Sequence, residues 1–321
     1  MEEASKIITV TLNPSLDRTL VTHYLAIGYH NRTTEPTRLD PAGEGVSISR
    51  ALHALDAQTH SVISLGTCAT GEAYQALLDE TPFPVTVVRR DGMTRSSTII
   101  LDTGNQSETQ VIEDATGATQ AHFASIMSAL ARIITGGDIV IFAGDMPSDA
   151  PVDGFMRLLV SARQAGGRLV LSGTGSLLAQ TLEAQPELVV MTQVEAEGYF
   201  NHPVRTREDM IYCARKVREQ HVDKVMIIVE EDGGAILAAE GGIWQVELPE
   251  FEPGTTSGIK AALLAGYLAG RVHQRPVQQA LELGAAAAAY TASQVGSEFG
   301  SLADVEGLGL AGTIEVDAAE E

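Results

Sequence analysis

The most constraining feature of this 321-residue chain is a regular alternation of short apolar runs with longer amphipathic runs. The pattern predicts helix 121–134, strand 139–143, helix 152–165 and strand 168–172, and it continues in the same way to a strand at 225–229. Strands that alternate with helices of this length predict a mostly parallel sheet covered by helices on both faces. Right-handed crossovers place the carboxyl ends of the strands at one edge, where α/β folds bind ligands.

Two segments lack the helices that this pattern requires. Residues 98–102 and 109–113 are strand-like and flank the turn sequence GNQS, which predicts a hairpin. Together with 18–37, the segment 97–113 is expected to form a small β-layer. Because the chain shows no internal repeat, low-complexity stretch or clear linker, we expect one domain over 1–321 that carries this β-layer.

Composition excludes several classes of function. The net charge of −21 opposes the phosphate backbone of nucleic acid. There is no apolar run of the roughly eighteen residues that a membrane span needs, and the acidic start lacks the basic region of a signal peptide, so a cytosolic protein is expected. Cys68 and Cys213 are too few for a disulfide framework, and the histidines show no metal-ligand spacing, so no metal site is predicted.

One stretch, EPGTTSGIKAALLAGYLAG, raises a chemical question. A turn rich in Gly and Thr opens directly into an Ala/Leu helix, and the N–H groups at a helix start favour an anion. No carboxylate lies between Thr255 and Gly270, and the single charged side chain there is Lys260. The stretch therefore predicts an anion site that has no residue of its own to accept a proton.

The order of motifs along the chain resembles that of the PfkB (ribokinase-like) carbohydrate kinases. The motifs are TLNPSLDRTL, AGEGVSISRALHALDA, GTCATGEAYQALL, TRSSTIILD and FAGDMP. Within that family the resemblance is to the phosphofructokinase and tagatose-phosphate kinase branch. It implies a ribokinase-like α/β fold with a β-lid, a homodimer formed through the lid, a sugar or sugar-phosphate ligand, and ATP with Mg²⁺.

The resemblance also implies a sugar site. Asn13 and Asp17 match the first sugar-contacting motif, and Arg95 matches an arginine that reaches the substrate phosphate. The family's Gly-Gly-Lys-Gly loop, followed by Asn, corresponds to Ala42, Gly43, Glu44, Gly45 and Ser47. Glu44 would therefore oppose a phosphate where the family has a lysine.

The catalytic and nucleotide motifs depart further from the family pattern. Gly258 and Lys260 remain from the anion hole, while the position of the general base is Ala261, so no catalytic residue is identified. The motif that organises magnesium and nucleotide corresponds to Gln193–Ala196, with Glu195 one residue away from the carboxylate position. Glu230 and Gly233 stand beside the expected nucleotide, where added acids disfavour a triphosphate.

Plainer interpretations of these residues stay open. Asp17 could cap a turn, Arg95 could form a surface ion pair, and Lys260 could be an exposed lysine. Two functions remain. The favoured one is a pseudokinase that binds a sugar, phosphosugar or protein partner, because base, metal-organising carboxylate and phosphate-binding lysine are all replaced. The alternative is an active ATP-dependent sugar or hexose-phosphate kinase with a displaced base.

Overall fold

The computed structural model describes residues 5–173, 177–229, 234–249, 257–294 and 298–308, together with the backbone of 313–316. Within these ranges the chain forms a ten-stranded sheet and a separate four-stranded sheet. The predicted α/β architecture with a mostly parallel central sheet is confirmed. Both sheets contribute to the candidate site described below.

Seven neighbouring strands of the large sheet run parallel, and the three at its far end are antiparallel. In spatial order the strands are β5 (Val85–Arg90), β4 (Thr59–Gly66), β1 (Ile7–Thr11), β8 (Ile139–Ala143), β9 (Arg168–Ser172), β10 (Leu188–Thr192), β11 (Lys224–Ile228), β12 (Ala235–Ala239), β13 (Gly242–Val246) and β14 (Thr313–Val316). The carboxyl ends of β1, β8, β9 and β10 therefore share one edge.

The central strand β1 shows why this region folds as a buried parallel sheet. Its sequence, IITVT, is buried at every position, and Ile7 and Ile8 are both 0% exposed although successive side chains point to opposite faces. A continuous apolar run of this kind is typical of a strand that is covered by helices on both sides.

Helices cover both faces of the large sheet. They are α1 (Glu44–Ala54), α2 (Ala69–Leu78), α3 (Gln120–Ile133), α4 (Val152–Gln164), α5 (Leu178–Thr181), α6 (Gln193–Phe200), α7 (Arg207–Arg218), α8 (Ile259–Val272), α9 (Val277–Ala292) and α10 (Leu302–Gly307). Helices α1, α8 and α9 pack in one core, and α3 and α4 pack in another. None of the described helices combines the length and hydrophobicity that crossing a membrane requires.

Helices α8 and α9 approach each other closely. A Cβ atom added to Gly266 would lie 2.6 Å from the Cα atom of Gly284, and one added to Gly284 would lie 2.6 Å from the carbonyl oxygen of Leu263. Side chains larger than hydrogen at these two positions would force the helices apart. Glycine is therefore required here for backbone contact between the helices.

The small sheet contains β3 (Arg38–Ala42), β2 (Ser15–Thr22), β6 (Arg95–Asp102) and β7 (Ser107–Ile112), in that order. The predicted hairpin is confirmed, since β6 and β7 pair antiparallel. The expected β-segment 18–37 differs from the structure: β2 begins at Ser15, residues 23–37 hold no strand, and β2 pairs with β3 instead. Pro41 concealed β3 in the sequence, and proline is tolerated there because β3 is an edge strand.

Candidate functional site

The first turns of three helices bring charged side chains together at the carboxyl edge of the large sheet. Lys260 in α8 places its Nζ atom 3.3 Å from Oε1 of Glu44 in α1 and 3.5 Å from Oε2 of Glu195 in α6. Glu44 also accepts a hydrogen bond from the hydroxyl of Ser172, the last residue of β9. We refer to these four residues as the Lys260 cluster.

The Lys260 cluster is largely removed from solvent, because its three charged side chains are between 18% and 25% exposed. Burial disfavours the ammonium group, but the carboxylates of Glu44 and Glu195 outweigh this effect and raise the pKa of Lys260 above its usual value. They also offset the unfavourable helix dipole at the start of α8. The interpretation of Lys260 as a surface lysine is therefore wrong.

The start of α8 contains no proton acceptor in its side chains. Gly258 caps the helix in the left-handed region, with φ +87°, and its carbonyl accepts the first helical hydrogen bond from Ala262 N at 2.8 Å. Ala261 is 3% exposed, and its methyl group cannot take a proton. The carboxylates that the structure brings beside this turn are those of Glu44 and Glu195.

Helix α6 orients Glu195 through a capping box. Thr192 N donates to Glu195 Oε2 at 2.7 Å, and Glu195 N donates to Thr192 Oγ1 at 3.1 Å. The next residue, Ala196, is fully buried in an apolar core and so lies away from Lys260. Gln193 donates its amide to the carbonyl of Val204, which holds the loop after α6. Position 195 thus brings a carboxylate to the site, and position 196 does not.

The side chains of this region form no preassembled site for a divalent cation. Across the described ranges, no group of three or more His, Cys, Asp or Glu residues is arranged to hold a metal ion. Glu195 is already engaged by the capping box and by Lys260, and Glu44 by Ser172 and Lys260.

A cavity of about 590 Å³ opens beside the Lys260 cluster. It extends from the end of β1 across the end of β8 to the small sheet, and Asn13 and Arg95 both line it. The Oδ1 atom of Asn13 and the Nε atom of Arg95 are buried without a hydrogen-bond partner, although Asn13 is only 6% exposed. Buried polar atoms are normally paired, so these two atoms are available to the polar groups of a ligand or of water.

Asp17 lies on β2, directly across from Asp40 of β3. Burial, with a smaller contribution from Asp40, raises the pKa of Asp17 to about 6, while Ser15 and Arg95 act in the opposite direction. A raised pKa of this kind is common where a carboxyl group serves a ligand site. The interpretation of Asp17 as a simple turn cap is wrong, because the residue lies within a strand.

The first turn of α1, with its N-cap Gly43, packs tightly on the end of β1. Gly43 has φ +128°, and a Cβ atom added to Gly45 would lie 2.4 Å from Oγ1 of Thr11. Ser47 is 7% exposed, and its N–H donates to the carbonyl of Gly43 at 2.9 Å. These contacts account for Gly43 and Gly45 through backbone geometry, and they place Glu44 between them at the start of α1.

Two of the expected nucleotide residues, Glu230 and Gly233, lie outside the described residues. Ser172 and Asp145 stand where the family resemblance implies an Asp and a Ser, and the structure places Ser172 in the Lys260 cluster and Asp145 in the cavity wall.

The structure also adds Glu113 and Asp114 to the cavity wall, which the sequence did not single out. A signal for these two acids was present, because the predicted hairpin brings Ile112 beside Ser97, close to Arg95 at the start of β6.

Comparison with known proteins gives a consistent result for the whole chain. Residues 11–303 match the profile of the pfkB family of carbohydrate kinases. Among curated proteins, 1-phosphofructokinase from Bacillus subtilis is 27% identical over 264 residues, covering 81% of this chain and 84% of the relative. The 1-phosphofructokinase from Xanthomonas campestris is 26% identical over 265 residues, covering 81% of this chain and 82% of the relative.

Solved structures show the same fold. Phosphofructokinase-2 from Escherichia coli, in complex with substrates and products, has a TM-score of 0.86 at 21% identity, over 94% of this chain and 98% of that one. Ribokinase from Arabidopsis thaliana, complexed with ribose and ATP, has a TM-score of 0.71 at 17% identity, over 95% and 99% of the two chains. The predicted ribokinase-like fold is confirmed.

Proposed function

Because the chain belongs to the pfkB family of carbohydrate kinases, we propose that it is an ATP-dependent sugar kinase of the phosphofructokinase type. The acceptor is an alcohol group of a sugar or hexose phosphate held in the cavity. The observation that carries this proposal is the pair of unpartnered polar atoms, Asn13 Oδ1 and Arg95 Nε, beside the Lys260 cluster. The relatives named 1-phosphofructokinase support it.

Glu44 is the residue that we assign as the displaced base. Its carboxylate borders the cavity, because a Cβ atom added to the cavity-lining Gly173 would lie 3.0 Å from Glu44 Oε2. In the proposed reaction the sugar hydroxyl oxygen bonds to the terminal phosphorus of ATP, and the bond from that phosphorus to its bridging oxygen breaks. The hydroxyl proton passes to Glu44, ADP leaves, and Lys260 offsets the negative charge of the transferred group.

The Lys260 cluster favours a second candidate, which is sugar binding without phosphoryl transfer. Lys260 is already paired with both nearby carboxylates, and Ala261 offers no acceptor. General-base assistance is typically worth about 10²–10⁴ in rate, and a carboxylate held by an ammonium group is a weaker base. The family match and the named relatives favour the kinase over this candidate.

Release of ADP from ATP separates the two candidates. We expect sugar-dependent ADP release from the wild type, with a loss of about 10²-fold in Glu44→Gln, because an amide cannot take the hydroxyl proton. Glu183→Gln removes an exposed glutamate that does not line the cavity and serves as the matched control. Sugar binding without ADP release would select the second candidate, and equal rates in wild type and Glu44→Gln would remove Glu44 from the mechanism.

We also propose that the small sheet mediates a homodimer. Apolar side chains are exposed at the end of β7, where Ile112 is 58% exposed, and in the loop 23–37, where Ile27 is 90% and Tyr29 81% exposed. Ile112 lines the cavity as well, so a second copy seated there would help to close the site. Light scattering is expected to give a dimer, and Ile27→Asp with Ile112→Asp to give a monomer. A monomeric wild type at micromolar concentration would contradict the proposal.

A further inference from the structure

The Lys260 cluster has the geometry of a cation site. Glu44 and Glu195 come from the first turns of two different helices, and their carboxylate oxygens lie 3.3 Å and 3.5 Å from the Nζ atom of Lys260. Carboxylate oxygens are also the ligands that magnesium and manganese ions take. A lysine from a third helix therefore stands where two carboxylates could otherwise share a divalent cation.

Both carboxylates are also held by contacts that do not involve Lys260. The backbone N–H of Thr192 donates to Glu195 Oε2 at 2.7 Å, as part of the capping box that starts α6. The hydroxyl of Ser172, at the end of β9, donates to Glu44 Oε1. These are the same oxygen atoms that face the lysine. We therefore expect the two carboxylates to stay close together when the lysine is removed.

The observed distances match an ammonium group and not a divalent ion. Magnesium binds oxygen at about 2.0–2.1 Å, so the oxygens at 3.3 Å and 3.5 Å would each have to move inward by more than about 1 Å. Burial opposes the charge of Lys260, but the two carboxylates outweigh it and raise the pKa of the ammonium group above its usual value. A divalent cation would thus have to displace a side chain that stays charged.

We propose that the ammonium group of Lys260 is a built-in cation that takes the place of a protein-bound divalent metal in phosphoryl transfer. Magnesium then enters the site only as the partner of ATP, and the two glutamates hold the lysine instead of an ion. The part of the inference that concerns phosphoryl transfer rests on the proposed function. The occupation of a cation position by Lys260 does not, because it is a property of the cluster and can be tested without nucleotide or sugar.

Titration with manganese ions in the absence of ATP and sugar tests the cation position, with free Mn²⁺ measured by electron paramagnetic resonance. Lys260→Ala leaves two carboxylates that are 18% and 25% exposed in the wild type, so an ion can reach them. We expect this variant to bind one Mn²⁺ at least about tenfold more tightly than the wild type, because two converging carboxylates have lost their internal cation. Binding of equal strength in the two proteins would overturn the inference.

Two control variants show whether the cluster produces the gain. Lys216→Ala removes a lysine from a surface pair with Glu219, and it is expected to bind Mn²⁺ as the wild type does. Lys260→Ala combined with Glu195→Gln keeps a side chain that completes the capping box but removes one carboxylate, and it is expected to lose the gain. An equal gain in Lys216→Ala, or a gain that survives Glu195→Gln, would assign the ion to the overall charge of the protein and overturn the inference. Lys260→Gln removes the same charge, keeps more of the side chain, and carries the same expectation if Lys260→Ala does not fold.

The dependence of ADP release on free magnesium tests the role in phosphoryl transfer. With ATP already saturated by Mg²⁺, we expect the wild-type rate to stay constant as free Mg²⁺ rises. Lys260→Ala is expected to lose about 10²-fold in rate, because it lacks a fixed positive charge, and to recover in part with free Mg²⁺. A wild-type rate that rises with free Mg²⁺, or a variant rate that does not, would overturn the inference and leave the proposed sugar kinase standing. If the wild type releases no ADP with any sugar, the proposed function fails, and the Mn²⁺ titration alone decides whether Lys260 occupies a cation position.

Discussion

The two halves of the candidate site satisfy their polar groups in opposite ways. In the Lys260 cluster every charge has a partner within the chain, with Lys260 held between Glu44 and Glu195. In the neighbouring cavity, Asn13 Oδ1 and Arg95 Nε are buried without partners. The Lys260 cluster thus satisfies its charges within the chain, whereas the cavity leaves two buried polar atoms available to a ligand.

The largest expected effect comes from replacing residues of the Lys260 cluster. The variant Glu44→Lys, Lys260→Gly, Ala261→Asp restores the lysine of the family loop at position 44 and a carboxylate at the general-base position, and it removes the ammonium group that would face the new lysine. We expect ADP release with a sugar acceptor to rise about 10²-fold over the wild type, because a carboxylate then stands on the first turn of α8. The single changes are expected to give much less, since the groups act as a unit and Glu44→Lys alone sets two ammonium groups side by side.

A triple variant that is no faster than Ala261→Asp alone would contradict this expectation. So would a wild type that already matches the triple variant. The purified variants are compared at equal folded fraction, checked by circular dichroism, so that a loss of fold is not read as a loss of rate.

The next effect concerns stability and contrasts the two halves directly. Lys260→Met leaves two carboxylates unpaired in a mostly buried position, and we expect a loss of about 2 kcal/mol in the free energy of unfolding. Arg95→Ala removes a group that has an unpartnered atom, and we expect a change within about 0.5 kcal/mol. Urea denaturation measures both.

Lys216→Met is the control for the loss of a lysine charge. Lys216 pairs with Glu219 at 2.9 Å, but the two side chains are 41% and 60% exposed. We expect a loss below about 0.5 kcal/mol, as for most surface pairs. A loss at Lys260 no larger than this would show that its cluster does not hold the helix starts together.

The smallest effect uses pH to probe Asp17, which lies in the small sheet and is influenced by the charge of the cavity-lining Arg95. Burial raises the folded-state pKa of Asp17 from 3.8 to about 6, so the folded state binds the proton more tightly than the unfolded state. The unfavourable burial of the charge is present above pH 6 and is relieved as pH falls towards 4. Between pH 7 and pH 5 we expect the wild type to gain about 1 kcal/mol of stability relative to Asp17→Asn. Parallel unfolding curves for the two proteins would show that Asp17 titrates normally.

Most of the fold could be predicted from the sequence, because buried parallel strands and amphipathic helices leave strong local patterns. The central strand at Ile7–Thr11 and the helix at Gln120–Ile133 are examples. Strand β3 could not be predicted, since two of its five residues are charged and one is proline, and only pairing with β2 makes the segment a strand. Helix α6 at Gln193–Phe200 was not predicted, because its start depends on a capping box between the side chains and backbone N–H groups of Thr192 and Glu195.

The site was predicted in part. The sequence singled out Glu44, Glu195 and Lys260, and the family resemblance implied that their segments converge. It did not predict that Lys260 pairs with both carboxylates, because these contacts form only when three helices meet. It assigned the missing carboxylate to position 196, whereas the helical rotation of α6 turns that residue into the core. The roles of these residues in binding and catalysis remain predictions.

The close contact between Gly266 and Gly284 has a mechanical consequence for the site. Two helices whose backbones touch can neither slide past each other nor rotate without collision, so α8 and α9 behave as one stiff block. Lys260 lies in the first turn of α8, so we expect its position relative to the large sheet to be fixed. Any adjustment of the cavity to ligands of different size is then expected from the small sheet, whose contacts with the rest of the molecule include a hydrogen bond from the Tyr74 hydroxyl to the carbonyl of Ala42. If the cavity binds a sugar as proposed, we expect it to close by movement of the small sheet toward the Lys260 cluster.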